Sequence, residues 1–261
     1  MTKTILITGA TDGIGFETAK VLVEQGHHVL LHGRNPEKLQ KVETELGKLG
    51  LVKSYVADLS DLKAVRSLAK TIAEKHQSLD VLINNAGVLK TPNAITADGI
   101  DVRFAVNTIA PYLLTKKLLP ILGAGRVVNV SSAAQAPVDL DALIGKDNKL
   151  DAMSAYSQSK LAITMWSYAM GNLLGNSPII VAVNPGSLLG SKMVKEGFGV
   201  AGKDIGIGVD ILIRASFSDE FANASGKYFD NDSGCFGNQH PDALNKEKCE
   251  KIIEVIDTIL N

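Results

Sequence analysis

The stretch Thr8-Gly9-Ala10-Thr11-Asp12-Gly13-Ile14-Gly15 constrains the fold of this chain more than any other. It follows Lys3-Thr4-Ile5-Leu6-Ile7, a short apolar, β-branched run of the kind a buried parallel strand has. It opens into Phe16-Glu17-Thr18-Ala19-Lys20-Val21-Leu22-Val23, which reads as a helix. Strand, glycine turn and helix together make a phosphate-binding device. The glycines permit a tight turn and a close backbone approach, and the free N–H groups of the helix start face an anion. The spacing is Gly-x3-Gly-x-Gly rather than the Gly-x-Gly-x2-Gly of the commonest dinucleotide fingerprint. Taken alone, such a triplet also fits a plain strand–turn–helix.

Strand and helix patterns alternate along the rest of the chain. Strand two is His28-Val29-Leu30-Leu31-His32, closed by Gly33 and Arg34, and Asn35-Pro36 starts the next helix as N-cap and first-turn proline. Strand three, 52–57, ends at Asp58-Leu59, and Ser60 is expected to cap helix three. Strand four, Asp80-Val81-Leu82-Ile83-Asn84, runs into Asn85-Ala86-Gly87. A long helix is expected over 99–122 with Pro111 inside it, then strand five at 126–131, an irregular acidic stretch over 133–152, and a helix over 154–174. Strand six, Ile179-Ile180-Val181-Ala182-Val183, ends in Asn184-Pro185-Gly186-Ser187-Leu188. Residues 190–203 read as a lid, 204–216 as a helix, Lys227-Tyr228-Phe229 as strand seven, and 241–260 as a C-terminal helix. The alternation predicts right-handed βαβ units, hence an α/β, doubly wound (Rossmann) parallel sheet with helices on both faces. With 261 residues and no repeat or linker, one domain over 1–261 is expected.

Bulk properties remove several classes. A net charge of −1 provides no basic field for nucleic acid or an anionic membrane. Two cysteines, Cys235 and Cys249, are too few for a disulfide framework, and no apolar run has membrane-spanning length; a cytoplasmic setting is expected. The five histidines show no ligand spacing, so no metal is expected.

Tyr156 and Lys160 lie four residues apart, on one face of the helix expected over 154–174. A phenol titrates near ~10, and a neighbouring ammonium lowers that value. The pair suits proton transfer at a carbonyl–alcohol centre, although any helix can carry Tyr and Lys at this spacing. The context is more specific. Thr8-Gly9-x3-Gly13-x-Gly15, Asn84-Asn85-Ala86-Gly87, Asn107, Ser132, Tyr156-x3-Lys160 and Pro185-Gly186 occur in that order. The chain thereby resembles a classical short-chain dehydrogenase/reductase over residues 3 to about 230.

The resemblance implies a seven-stranded sheet of order 3-2-1-4-5-6-7 with a nicotinamide cofactor across its switch point. It implies Tyr156 as general acid/base, Lys160 as the residue that lowers the tyrosine pKa and holds the nicotinamide ribose, Ser132 as the hydroxyl that positions the substrate oxygen, and Asn107 as holder of a relay water. It further implies cofactor contacts at Gly9, Thr11, Asp12, Gly13, Ile14, Gly15, Arg34, Asp58, Leu59, Asn85, Ala86, Gly87, Tyr156, Lys160, Pro185, Gly186 and Leu188. The Ser132-to-Tyr156 separation is 24 positions, about twice the usual, which is similar to retinol-dehydrogenase-like members. Members of the family commonly pair through the two long helices, so a homodimer or homotetramer is expected, with Met165, Trp166 (read as core or interface) and Tyr168 as apolar anchors; a monomer is the alternative, since the long insertion could cover part of that surface.

The acidic residue expected near the end of strand two in an NAD-binding chain is replaced by Gly33, followed by Arg34, Asn35 and Lys38. A guanidinium suits a 2′-phosphate through paired charge-assisted hydrogen bonds. The reading is therefore an NADP(H)-dependent oxidoreductase acting on a small-molecule carbonyl or alcohol. The alternative is a catalytically silent nucleotide-binding regulator of the same fold.

Overall fold

We describe the protein from a computed structural model over residues 1–147 and 149–261. In chain order the elements are β1 (Thr4–Ile7), α1 (Gly13–Glu24), β2 (His28–Gly33), α2 (Pro36–Leu46), β3 (Val52–Val56), α3 (Leu62–Lys75) and β4 (Val81–Asn84). Then come α4 (Val102–Phe104), a π-helical turn at Ala105–Ile109, α5 (Ala110–Leu122), β5 (Arg126–Val130), α6 (Leu140–Leu143), α7 (Ala152–Leu174) and β6 (Ile179–Asn184). The chain closes with α8 (Lys192–Phe198), α9 (Gly206–Phe217), β7 (Tyr228–Asp230), β8 (Cys235–Phe236) and α10 (Lys246–Leu260).

The strands form one sheet of order β3-β2-β1-β4-β5-β6-β7-β8. The first seven run parallel. The expected order holds with one addition: β8 pairs antiparallel with β7, matching Phe229 to Phe236 and Asp230 to Cys235. A two-residue strand within the glycine-containing loop carries too little apolar pattern to be seen in sequence. Side chains alternate across the sheet. Ile5, Ile7, Leu31 and Ile83 pack with Ala19, Leu22 and Leu212 on one face. Leu6, Leu30, Leu82 and Val127 pack with residues of α3, α5, α7 and α10 on the other. Both faces are covered, which is why the strands are near-continuously apolar. The order reverses between β1 and β4, and this is where a crevice opens at the carboxyl ends of the strands.

Several local expectations are met and others change. Asp12 caps α1, accepting from Gly13 N at 2.8 Å, and Asn35 caps α2, accepting from Lys38 N at 2.9 Å. Asp61, not Ser60, caps α3, accepting from Lys63 N at 2.8 Å. The Ser60 hydroxyl is already engaged, donating to Asp58 Oδ1 at 2.7 Å. The expected continuous helix over 99–122 begins at Val102 and is interrupted by the π turn around Asn107. Pro111 has no N–H, so the carbonyl four residues earlier, that of Asn107, loses its α-helical donor.

Two of the residues expected as anchors lie in the core. Trp166 and Met165 are buried within the chain's own core. α10 packs along α7 and is fastened to α5 through Asp257, which accepts from the Tyr112 hydroxyl at 3.0 Å and from Lys116 Nζ at 2.8 Å. Two of the three expected anchors are thus spent inside one chain. Among the described residues, no helix is long and apolar enough to cross a membrane.

Candidate active site

The glycine turn is built by close approach. Gly9 and Gly13 have φ of 67° and 57°, values that favour glycine. A Cβ on Gly15 would lie 2.4 Å from the carbonyl oxygen of Gly9 and from Asn85 Nδ2, so only glycine fits there. Asn85 Nδ2 donates to Thr8 O at 2.9 Å, and Thr8 Oγ1 accepts from the backbone N–H groups of Asn85 and Ala86 at 3.0 Å each. The turn after β1 is therefore locked to the end of β4. Asn84 braces the sheet behind it, donating to Asn129 Oδ1 at 2.8 Å and Thr115 Oγ1 at 3.2 Å.

His32 completes this lock. Its Nδ1 accepts from Gly9 N at 3.3 Å and its Nε2 faces Ala57 O at 3.1 Å, where it donates. One buried imidazole thus joins the ends of β1, β2 and β3. Burial lowers its pKa to about 4, so it stays neutral at physiological pH. Histidine read only as a metal ligand hides this role. The signal lay in its position, beside Gly33 at the end of a buried strand.

A cleft of about 760 Å³ opens over these elements. Gly9, Thr11, Asp12, Gly13, Ile14, Arg34, Asp58, Leu59, Asn85, Ala86, Gly87, Pro185, Gly186 and Leu188 all line it. So do Ser132, Tyr156 and Lys160 at its other end. Two expected residues stand behind the wall: Gly15, which admits the close approach, and Asn107. A Cβ on Gly33 would lie 2.6 Å from Thr11 Cγ2, so its bare backbone keeps this part of the floor open. Arg34 and Lys38 are exposed at the rim.

At the other end, α7 carries Tyr156 and Lys160 toward the end of β5. Ser132 and Tyr156 line the same end of the cleft, and the Ser132 hydroxyl is near enough to act on the Tyr156 phenol. Lys160 is 3% exposed, donates from Nζ to Val130 O at 2.7 Å and lies 5.7 Å from the Tyr156 ring centroid. Burial lowers its pKa to about 8. Burial pushes the Tyr156 phenol up, and the nearby Ser132 hydroxyl pulls it back. Asn107 is packed beneath: Oδ1 accepts from Val88 N at 2.8 Å, and Nδ2 donates to Val88 O and Ser159 Oγ at 3.0 Å each. Its amide is spent on structure, fixing α7 against the strand β4 exit.

The segment over 190–203 leaves and rejoins the cleft at one point: Gly190 N donates to Lys203 O and Lys203 N to Leu188 O, both at 2.7 Å. Between them α8 packs over Leu89, and Met193 lies near Gly87. Part of the long Ser-to-Tyr stretch packs onto α7: Asp139 N donates to Gln158 Oε1 at 2.9 Å, and Ala142 and Leu143 of α6 are buried; residue 148 of this stretch lies outside the described residues. Among the described residues, no group of three or more His, Cys, Asp or Glu is placed to hold a metal.

A doubly wound sheet with a glycine turn at its switch point, facing a Ser–Tyr–Lys cluster across one cleft, defines the class as a Rossmann-type α/β protein. The short chain dehydrogenase family model matches residues 3–198. Human retinol dehydrogenase 13 is 34% identical over 251 residues, covering 87% of this chain and 76% of that protein. An uncharacterised Mycobacterium paratuberculosis protein of known structure superposes with a TM-score of 0.82 at 27% identity, over 98% of this chain and 92% of that one. A Burkholderia cenocepacia short chain dehydrogenase solved in complex with NADP superposes with a TM-score of 0.69 at 26% identity, over 87% and 95% of the two chains. The chain belongs to the short-chain dehydrogenase family.

Proposed function

We propose that this protein is an NADP(H)-dependent oxidoreductase that interconverts a carbonyl and an alcohol, with Tyr156 as general acid/base. The observation that carries the reading is the shared cleft. Ser132, Tyr156 and Lys160 stand at one end, the glycine turn in the middle and Arg34 with Lys38 at the other. The residues fit a phosphorylated dinucleotide: side-chain-free Gly9 and Gly13 line the cleft at the start of α1, and Gly33 and Arg34 stand where an acid would repel a 2′-phosphate.

When bound, the cofactor supplies or accepts the hydride. The chain supplies orientation and the proton. Ser132 holds the substrate oxygen by hydrogen bonding, and Tyr156 Oη gives its proton to that oxygen during reduction or takes it during oxidation. A buried phenol resists ionisation, so the phenolate needs support. It has two sources here, the nearby Ser132 hydroxyl and the buried ammonium of Lys160, which at a pKa of about 8 remains mostly charged near neutral pH. Asn107 fits the role of relay-water holder through its main-chain carbonyl, since its side chain is already committed. The wall beyond Tyr156 is apolar, with Val88, Leu89, Val106, Met193, Val194 and Phe198, and suits a substrate with an apolar body. The test is NADPH consumption with a panel of aldehydes, ketones and quinones. Turnover of at least one, abolished in Tyr156→Phe, is the expected result; no turnover of any would remove the reading.

A further inference from the structure

The β7–β8 hairpin and the loop to His240 have no part in the chemistry above, yet they touch both sides of the cleft. Tyr228, at the start of β7 and 2% exposed, donates from its hydroxyl to the carbonyl oxygen of Ser132 at 3.0 Å. Gln135 Nε2 donates to the same oxygen at 3.0 Å. Gln135 is aimed by its other end, Oε1 accepting from His240 N at 2.9 Å. On the opposite side of the cleft the same hairpin holds the turn after β6. Asn231 Nδ2 donates to Pro185 O at 3.0 Å, and Asp232 accepts from Ser187 N at 2.9 Å.

Ser132 lies just past β5, where the sheet ladder no longer holds the backbone; the last such bond there is Ser131 N to Val183 O at 2.8 Å. Its own side chain accepts from Ala134 N at 3.1 Å, which leaves its one hydroxyl hydrogen to donate. Two side-chain donors on the carbonyl then fix the residue from below. We propose that Tyr228 is a positioning residue for the reaction: together with Gln135 it sets the place of Ser132, and through Ser132 the ionisation of Tyr156. The proposal rests on the reading of Ser132 and Tyr156 given above. Burial, Asp230 and Asp232 all push the Tyr228 phenol up, so it remains a donor throughout the working pH range.

The test compares wild type, Tyr228→Phe, Gln135→Met and Tyr156→Phe on the most active carbonyl of the panel and on its alcohol with NADP⁺. Tyr228→Phe keeps the ring and its packing and removes one donor. Loss of one neutral hydrogen bond in a positioning chain predicts a fall in kcat of about tenfold, with NADPH affinity, read by its fluorescence, unchanged within about twofold. The rate of alcohol oxidation, which needs the phenolate, should also rise with pH later in the variant, by up to about one pH unit. A merely structural loosening scales the profile without moving it. If Tyr228→Phe does not fold, as judged by circular dichroism, Gln135→Met carries the same expectation at the same oxygen. Wild-type kcat and an unmoved profile in the folded variant, beside an inactive Tyr156→Phe, overturn the clamp and leave the enzyme reading standing. Full activity in Tyr156→Phe overturns both.

Discussion

The ammonium of Lys160 stands 5.7 Å from the ring centroid of Tyr156 and gives a hydrogen to Val130 O at 2.7 Å, with no carboxylate partner among the described residues. A buried cation held by a single backbone carbonyl is costly. On the function proposed above, its place one helical turn from a partly buried phenol supports a phenolate at the expense of stability.

Replacing Tyr156 with Phe keeps the ring and removes the proton. Turnover is expected to fall by at least ~100-fold, the low end for acid–base catalysis. NADPH affinity, measured by fluorescence titration, should change little. Near-normal turnover in this variant would contradict the assignment.

Lys160→Met should be inactive yet as stable as wild type, or more so, at pH 7. The sign follows from the titration. The folded protein releases the lysine proton near pH 8 and the unfolded chain near 10.5. Between those values the unfolded state binds more protons, so wild-type stability rises with pH by up to about 1.4 kcal/mol per unit relative to the variant. Urea melts of both proteins at pH 7, 8.5 and 9.5 measure the difference, and parallel curves would show that Lys160 is not desolvated.

His32 predicts the opposite end of the pH scale. Its folded pKa of about 4 lies below the ordinary 6.5, so stability tied to it is lost as pH falls through that window. Relative to His32→Gln, wild type should lose about 3 kcal/mol between pH 6.5 and 4. The variant should also bind NADPH more weakly, because Gly9 N and Ala57 O lose the ring that aligns them. Acid melts that superpose would remove the imidazole from this account.

Arg34→Ala tests the cofactor reading. Charge-assisted hydrogen bonds of roughly 1.5–3 kcal/mol correspond to about 10- to 150-fold in affinity. The wild-type enzyme should prefer NADPH over NADH in kcat/KM, and the preference should largely disappear in the variant. Equal use of both cofactors by wild type would show that Arg34 reads no phosphate.

What the sequence determined by itself is the part governed by local spacing. The glycine turn and the alternation of apolar strands with helices define the sheet, because a turn in which a Cβ on Gly15 would fall 2.4 Å from the Gly9 carbonyl oxygen tolerates only glycine and a strand buried on both faces must be apolar. The four-residue step from Tyr156 to Lys160 places both on one helix face regardless of what surrounds it. Contacts between distant parts of the chain were decided only by tertiary structure. His32 shows no motif, and its meaning comes from Gly9 and Ala57, 23 and 25 residues away. Tyr228 reaches Ser132 across 96 positions, and His240 meets Gln135 across 105. Trp166 read equally as core or interface, and it lies with Met165 in the core that α5, α7 and α10 share. An apolar side chain carries no label for which surface will cover it; the path of the folded chain supplies that surface.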